Sequence, residues 1–158
     1  MNMRVIGIDP GYDRLGLAIV DKEQNVERLV FSTCIETDRD LGLPERLFDL
    51  GTKLDKIMTE YKPDLLAIET LFFNKNIKTA INVAEARGVV LFLGEKHSCL
   101  IEEFGPQEIK VAVTGYGKSD KNAVIDMVKR LVKGVPLDVL DDEYDAIAVG
   151  ITALAHHR

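Results

Sequence analysis

Four carboxylates stand at or beside the ends of apolar segments: Asp9, Glu69, Asp142 and Asp145. Asp9 closes Arg4-Val5-Ile6-Gly7-Ile8, Glu69 closes Leu65-Leu66-Ala67-Ile68, and Asp142 and Asp145 open the last apolar stretch. An apolar strand core rarely ends in an acid, and here it happens twice. If the four converge, their mutual repulsion must be offset by cations, and hard divalent metals suit oxygen ligands. A metal-loaded acidic cluster points to phosphate chemistry. Two metals about 3.5–4 Å apart support in-line phosphoryl transfer, one activating water and the other stabilising a leaving 3′-oxygen. Asp9, on a first strand, is best placed to reach both, with Glu69 and the Asp142/Asp145 pair completing the coordination. No histidine is required. His97, His156 and His157 fall at expected helix ends, where cationic side chains are favoured anyway.

The spacing of Asp142 and Asp145 puts them on one helix face, in a first turn where the macrodipole favours acids. Asp141 and Glu143 read as ordinary helix-start acids. Basic residues gather between Lys110 and Lys133, and Lys129, Arg130 and Lys133 suit a solvated helix face. Lys118 and Lys121 fit that reading less well, because they follow the loop Gly115-Tyr116-Gly117, whose glycines allow close backbone approach to a ligand. Lys121 also sits in a helix first turn, against the macrodipole preference, which favours a functional reason for it.

The elements that must position these groups follow from periodicity. Residues 4–9, 15–20 and 26–35 read as three strands in an antiparallel meander, with a polar turn from Asp21 to Asn25. A helix begins at Pro44 and stops before Pro63, with Leu47, Leu50, Leu54, Ile57, Met58 and Tyr61 at helical spacing. Strand 64–68, a helix from Ile77 to Glu95, a short strand near Cys99–Glu102 and a helical turn at Pro106–Val113 come next. A helix capped by Ser119 or Asp120 runs to about Val132, and the last helix covers about 141–157. The order βββαβαβαα predicts an α/β fold: a five-stranded mixed sheet, three antiparallel strands then parallel crossovers, with helices on its faces. Strands 1 and 4 then lie side by side, bringing Asp9 and Glu69 together at the carboxyl ends of the strands. The helix from Ile77 is apolar almost all round, so it needs a second partner besides the sheet: either the last helix or a two-fold related subunit.

The 158 residues fit one domain with a sizeable core. The 46% hydrophobic and 29% charged composition is that of a globular protein, and no apolar run is long enough to span a bilayer. Met1 to Arg4 lead straight into a strand rather than a signal peptide, and Cys34 and Cys99 form no CxxC, so a cytoplasmic protein with reduced thiols is expected. A net charge of −6 taken alone argues against a nucleic-acid binder, but metal would neutralise several of those acids.

Taken in order, Ile8-Asp9-Pro10-Gly11, Ala67-Ile68-Glu69, Phe72 with Asn74-Lys75-Asn76, Ala86-Arg87-Gly88, Gly115-Tyr116-Gly117 with Lys121, and Asp142-x-x-Asp145-Ala146 resemble the motifs of the RuvC Holliday-junction resolvases over nearly the whole chain. The resemblance implies a ribonuclease-H-like fold and a homodimer that nicks two strands of a four-way DNA junction with Mg²⁺. Two ions per active site are expected, with Mn²⁺ as a possible substitute. Asp9, Glu69, Asp142 and Asp145 match the family's catalytic acids. Lys110 and Lys121 match basic positions near the scissile phosphate, and Phe72 matches an aromatic set against bases at the junction centre. Lys75, Lys78 and Lys118 are further candidate DNA contacts. Arg87 is read as a phosphate contact, an intrahelical pair or a support for the partner subunit. A RuvA–RuvB branch-migration complex is the implied partner. Two other classes compete. Gly7 to Gly11 with strand 15–20 also resembles the phosphate hairpin of actin-like ATPases and sugar kinases, though those use two such domains. A non-catalytic junction-binding module is the third reading, and the presence of all four acids opposes it.

Overall fold

The computed structural model describes residues 2–71 and 76–157. Strands β1 (Met3–Asp9), β2 (Arg14–Glu23) and β3 (Val26–Glu36) form the antiparallel meander. Helix α1 (Leu43–Tyr61), strand β4 (Leu65–Glu69), helix α2 (Ile77–Lys96) and strand β5 (Leu100–Phe104) follow. The chain continues through α3 (Pro106–Thr114), α4 (Lys121–Leu131), the two-residue β6 (Val132–Lys133) and α5 (Asp141–His156). The sheet order is β5-β4-β1-β2-β3-β6, with β4 parallel to β1 and β5 parallel to β4. This is the mixed sheet expected, and β1 and β4 are neighbours.

Two expectations need correction. The sheet has a sixth strand: after α4 ends, Val132 and Lys133 pair in parallel with Glu27 and Arg28, covering the edge of β3. Two residues carry too little periodicity to be read as a strand. The turn expected over Asp21–Asn25 is shorter, since β2 runs on to Glu23 and only Gln24 and Asn25 turn the chain. Both take positive φ, 48° and 68°, the geometry that a two-residue hairpin loop requires. Asp21 stays in the strand and receives both arms of Arg4.

Alternation along the strands sorts the core into two faces. Ile6, Ile8, Leu15, Leu17, Ile19, Leu66 and Ile68 pack beneath α1 and α2. Val5, Ala18, Val20, Leu65 and Ala67 pack against α3, α4 and α5. In the same alternation, Asp9 and Glu69 end their strands on the α5 face. Helix α5 therefore lies across the sheet from α2 and cannot cover the outer side of α2. Among the described residues, no helix is long and apolar enough to cross a membrane.

Candidate active site

Glycines set the distance between α5 and the strand ends. Gly7 lies two residues before Asp9, on the same face. A Cβ there would come within 2.2 Å of the Ala146 carbonyl oxygen and 2.7 Å of the Gly150 nitrogen. Gly16 pairs with Asp9 in the sheet, and a Cβ on it would lie 2.2 Å from the Asp142 carbonyl oxygen. The helix backbone thus rests on the sheet backbone at both points, and its first turn is set down beside Asp9. Glu143 fixes that turn: it accepts the Leu140 backbone N–H at 3.0 Å and the Ser32 hydroxyl at 2.7 Å.

As a result, carboxylate oxygens of Asp9, Asp142 and Asp145 lie within 4.8 Å of one another. Glu69 stands outside that tight group, but it is electrostatically coupled to Asp9 and to Asp145. Burial, reinforced by Asp145, Glu69 and Asp142, raises the Asp9 pKa to about 8. Burial and the Asp145 charge likewise push Glu69 up. Burial raises Asp145 despite the opposing charge of Lys121. The fold therefore assembles more negative charge than it compensates. The donors are all carboxylate oxygens, the ligand type of hard divalent cations, so the residues fit the metal that the sequence implies.

Two grooves reach the cluster. One is lined by Glu69 and Asp145 together with Lys110, Ser119 and Lys121. The other is lined by Asp9 and Asp142 together with Arg14, Arg39 and Val83. Lys121 Nζ lies 3.5 Å from carboxylate oxygens of both Asp141 and Asp145. Burial opposes its charge, but those two acids outweigh burial and hold the ammonium above its ordinary pKa. Asp141 is thus more than a helix-start acid, because it shares Lys121. Asp120, not Ser119, caps α4, accepting the Ala123 N–H at 2.8 Å.

The other candidates are spread more widely. Lys118 is exposed in the loop before α4, and Lys78 is exposed in the first turn of α2. Phe72 and Lys75 lie outside the described residues. Among the described residues Arg87 pairs outside its helix: its Nη2 reaches from α2 to Glu103 on β5 at 2.9 Å. The three histidines meet acids away from the cluster, His97 with Asp55, His156 with Glu108 and His157 with Glu102.

Sequence reasoning missed Arg14 and Arg46. Arg14 Nε donates to Asp142 Oδ2 at 2.8 Å, and its Nη2 donates to the same oxygen. The buried Arg46 pairs with Asp13, donates to Thr37 Oγ1 at 3.0 Å and stacks over the Tyr12 ring at 4.9 Å, clamping the turn after Asp9. These partners lie far apart in the chain, so no local spacing marks them. Gly7 and Gly16 did carry a signal, since glycine inside a strand marks close backbone approach. Cys34 Sγ lies 3.7 Å from Asp142 Oδ2, and burial together with that acid pushes its thiol pKa up to about 11.

Comparison with known proteins places this geometry in a family. The profile of the family described as Crossover junction endodeoxyribonuclease RuvC matches residues 5–153. A protein of that name from Fusobacterium nucleatum is 41% identical over 150 residues, covering 95% of this chain and 79% of its own length. Another, from Petrotoga mobilis, is 42% identical over 154 residues, covering 98% and 93%. Among solved structures, Thermus thermophilus RuvC in complex with a Holliday junction substrate superposes with a TM-score of 0.92 at 27% identity, covering 99% of this chain and 95% of that one. With its carboxylates at two strand ends and one helix start, and the family's profile matched across nearly all of its length, the chain belongs to the RuvC family of crossover junction endodeoxyribonucleases.

Proposed function

We infer that the chain is an endonuclease that resolves four-way (Holliday) DNA junctions in recombination and repair. The observation that carries this reading is the convergence of Asp9, Asp142 and Asp145 within 4.8 Å, beside Glu69, in a chain of this family. These four acids are proposed to hold two Mg²⁺ ions, with Mn²⁺ as a substitute. When bound, such ions polarise the phosphate and supply a nucleophile at neutral pH.

The chain's own residues do the rest. Asp9, on the central strand, is proposed to serve both ions, with Glu69 and Asp145 facing one groove and Asp142 the other. Lys110 and Lys121, lining the groove beside Glu69 and Asp145, are proposed to hold the scissile phosphate. Lys78 and Lys118 are proposed contacts to more distant phosphates. By resemblance, Phe72 stacks on a base and Lys75 meets phosphate. The glycine-built contact between α5 and the sheet holds the acids in place without side-chain give.

A homodimer completes the reading. Along α2, Ile77, Ile81 and Phe92 are exposed, and Gly88 has open space at its Cβ position. Successive residues turn by about 100°, so these four fall on one stripe on the side away from the buried Ala86, Val90 and Leu93. A second copy packing on that stripe would pair two active sites for a substrate with two-fold symmetry. A RuvA–RuvB complex is the partner the resemblance implies.

Incubating the protein with a synthetic four-way junction, a matched linear duplex and Mg²⁺ tests the function. Paired symmetric nicks in the junction alone are expected. Equal cutting of both substrates, or of neither, would remove the assignment.

A further inference from the structure

Arg14 stands on the opposite side of the cluster from the two lysines. It opens β2, and two of its nitrogens donate to a single carboxylate oxygen, Oδ2 of Asp142. A guanidinium stays charged at every working pH, and its planar fork suits carboxylate and phosphate oxygens. Asp13, the acid one residue before it, is engaged by Arg46 and Arg39. The Arg14 side chain is 45% exposed and lines the groove shared by Asp9, Arg39 and Asp142.

Asp142 therefore has two claimants. It is one of the three converging carboxylates, and its Oδ2 already carries two N–H donors from a cation. A divalent ion on that carboxylate would compete for the oxygen and would also repel the guanidinium. Once displaced, Arg14 remains in a groove that leads into the cluster. The anion that fits its planar fork there is a phosphodiester.

We propose that Arg14 is a positioning residue with two alternative partners: Asp142 while the carboxylate cluster is free of metal, and a DNA backbone phosphate in the Asp9 groove once a divalent cation holds Asp142. The DNA half of this rests on the junction-endonuclease reading; the exchange at Asp142 does not. Metal loading then strengthens the grip on DNA in this groove, and by linkage DNA strengthens the hold on metal.

Two measurements on the full-length protein test the exchange. The first is calorimetric titration with Ca²⁺ in the absence of DNA. Arg14→Gln should bind Ca²⁺ about two- to five-fold more tightly than wild type, the range expected for losing a half-exposed ion pair as competitor. The second is the salt dependence of junction binding, with EDTA and with Ca²⁺. Each phosphate contact adds about 0.9 to the slope of log K against log salt. Arg14→Gln should lower the slope by about that amount in Ca²⁺ and leave it unchanged in EDTA, while Arg14→Lys should keep most of it. Equal Ca²⁺ affinity in Arg14→Gln and wild type overturns the exchange whatever the DNA data show. A slope lowered equally under both conditions, or under neither, overturns the phosphate partner. A wild-type protein that does not prefer the junction over matched duplex breaks the functional reading instead, and the titration without DNA still decides the exchange.

Discussion

The two ends of β1 treat charge in opposite ways. At its start, each guanidinium nitrogen of Arg4 finds an acceptor within the fold: Nε and Nη2 each donate to Asp21 at 2.7 Å, and Nη1 donates to the Tyr61 carbonyl at 2.9 Å. Its backbone N–H meets Asp64 at 2.8 Å. At its finish, Asp9 is half-buried beside three other acids, with Lys121 the cation that opposes its shift. Hydrogen bonds to Asp21 raise the Arg4 pKa, which favours its charged form. Burial and repulsion work against the charged form of Asp9. Charges that serve the fold find their partners inside it. Charges arranged against the fold's own stability wait for a partner from outside, and the partner proposed here is a divalent cation.

The contrast breaks most sharply at Asp9. Asp9→Asn should lower junction cleavage at least about 10³-fold, on the order of 4 kcal/mol in the barrier. Junction affinity in Ca²⁺ should stay within about threefold. Single-turnover cleavage alongside gel-shift titration measures both, and wild-type cutting by the variant would end the argument for the cluster.

The next effect is on stability. Asp9 has its pKa raised from an ordinary value near 4 to about 8, so the folded state binds its proton more tightly than the unfolded chain does. Its favourable contribution is complete below about pH 4, is lost as pH rises through the interval to 8, and changes no further above that. The displacement sets a ceiling of ~5 kcal/mol, and relaxation of the coupled acids should leave a loss on the order of 3 kcal/mol in metal-free protein. Thermal melts in EDTA should show Tm falling across this interval. Asp9→Asn should flatten the trend, and Mg²⁺ should restore wild-type stability at pH 8. A metal-free Tm that is level from pH 4 to 8 would mean that the acids are compensated after all.

The same contrast explains what could be read from the sequence. Asp9 and Glu69 were legible because each ends a short apolar strand, and a strand order follows from hairpin and crossover rules. Asp142 and Asp145 were legible once the strand acids asked for partners. Glu69 stands further from the other three because it ends β4, one strand further from α5's footing on Gly7 and Gly16. The long-range pairs were not legible. Arg14 meets an acid 128 positions away, and Arg46 meets one 33 positions away, so only the finished fold brings them together. β6 escaped notice because two residues have no period, and its pairing depends on where α4 happens to end.

A smaller effect sharpens the comparison at Lys121, the cation shared by Asp141 and Asp145. Lys121→Ala should slow cleavage about 10- to 100-fold, roughly 1.4–2.8 kcal/mol, and lower the salt slope of junction binding by about 0.9. Rate and slope should fall together, because one ammonium is proposed to act in both. An unchanged slope with a reduced rate would confine Lys121 to tuning the acids. If neither changes, Lys121 has no part in the site.

The smallest effect lies at the other end of β1. Arg4→Ala removes a two-armed ion pair whose members are 35% and 14% exposed. The loss should be ~1 kcal/mol, or about 2–4 °C in Tm, with cleavage under saturating Mg²⁺ within twofold of wild type. The raised guanidinium pKa means this stabilisation is present throughout the neutral range and fades only in strong alkali, so the Arg4→Ala deficit should not vary between pH 5 and 9. That pH-independence is the mirror of Asp9, whose contribution changes across the same range. A large rate loss in Arg4→Ala would show that the two ends communicate through β1. A small, level stability loss with full activity would show that the strand keeps its structural charges apart from its catalytic ones.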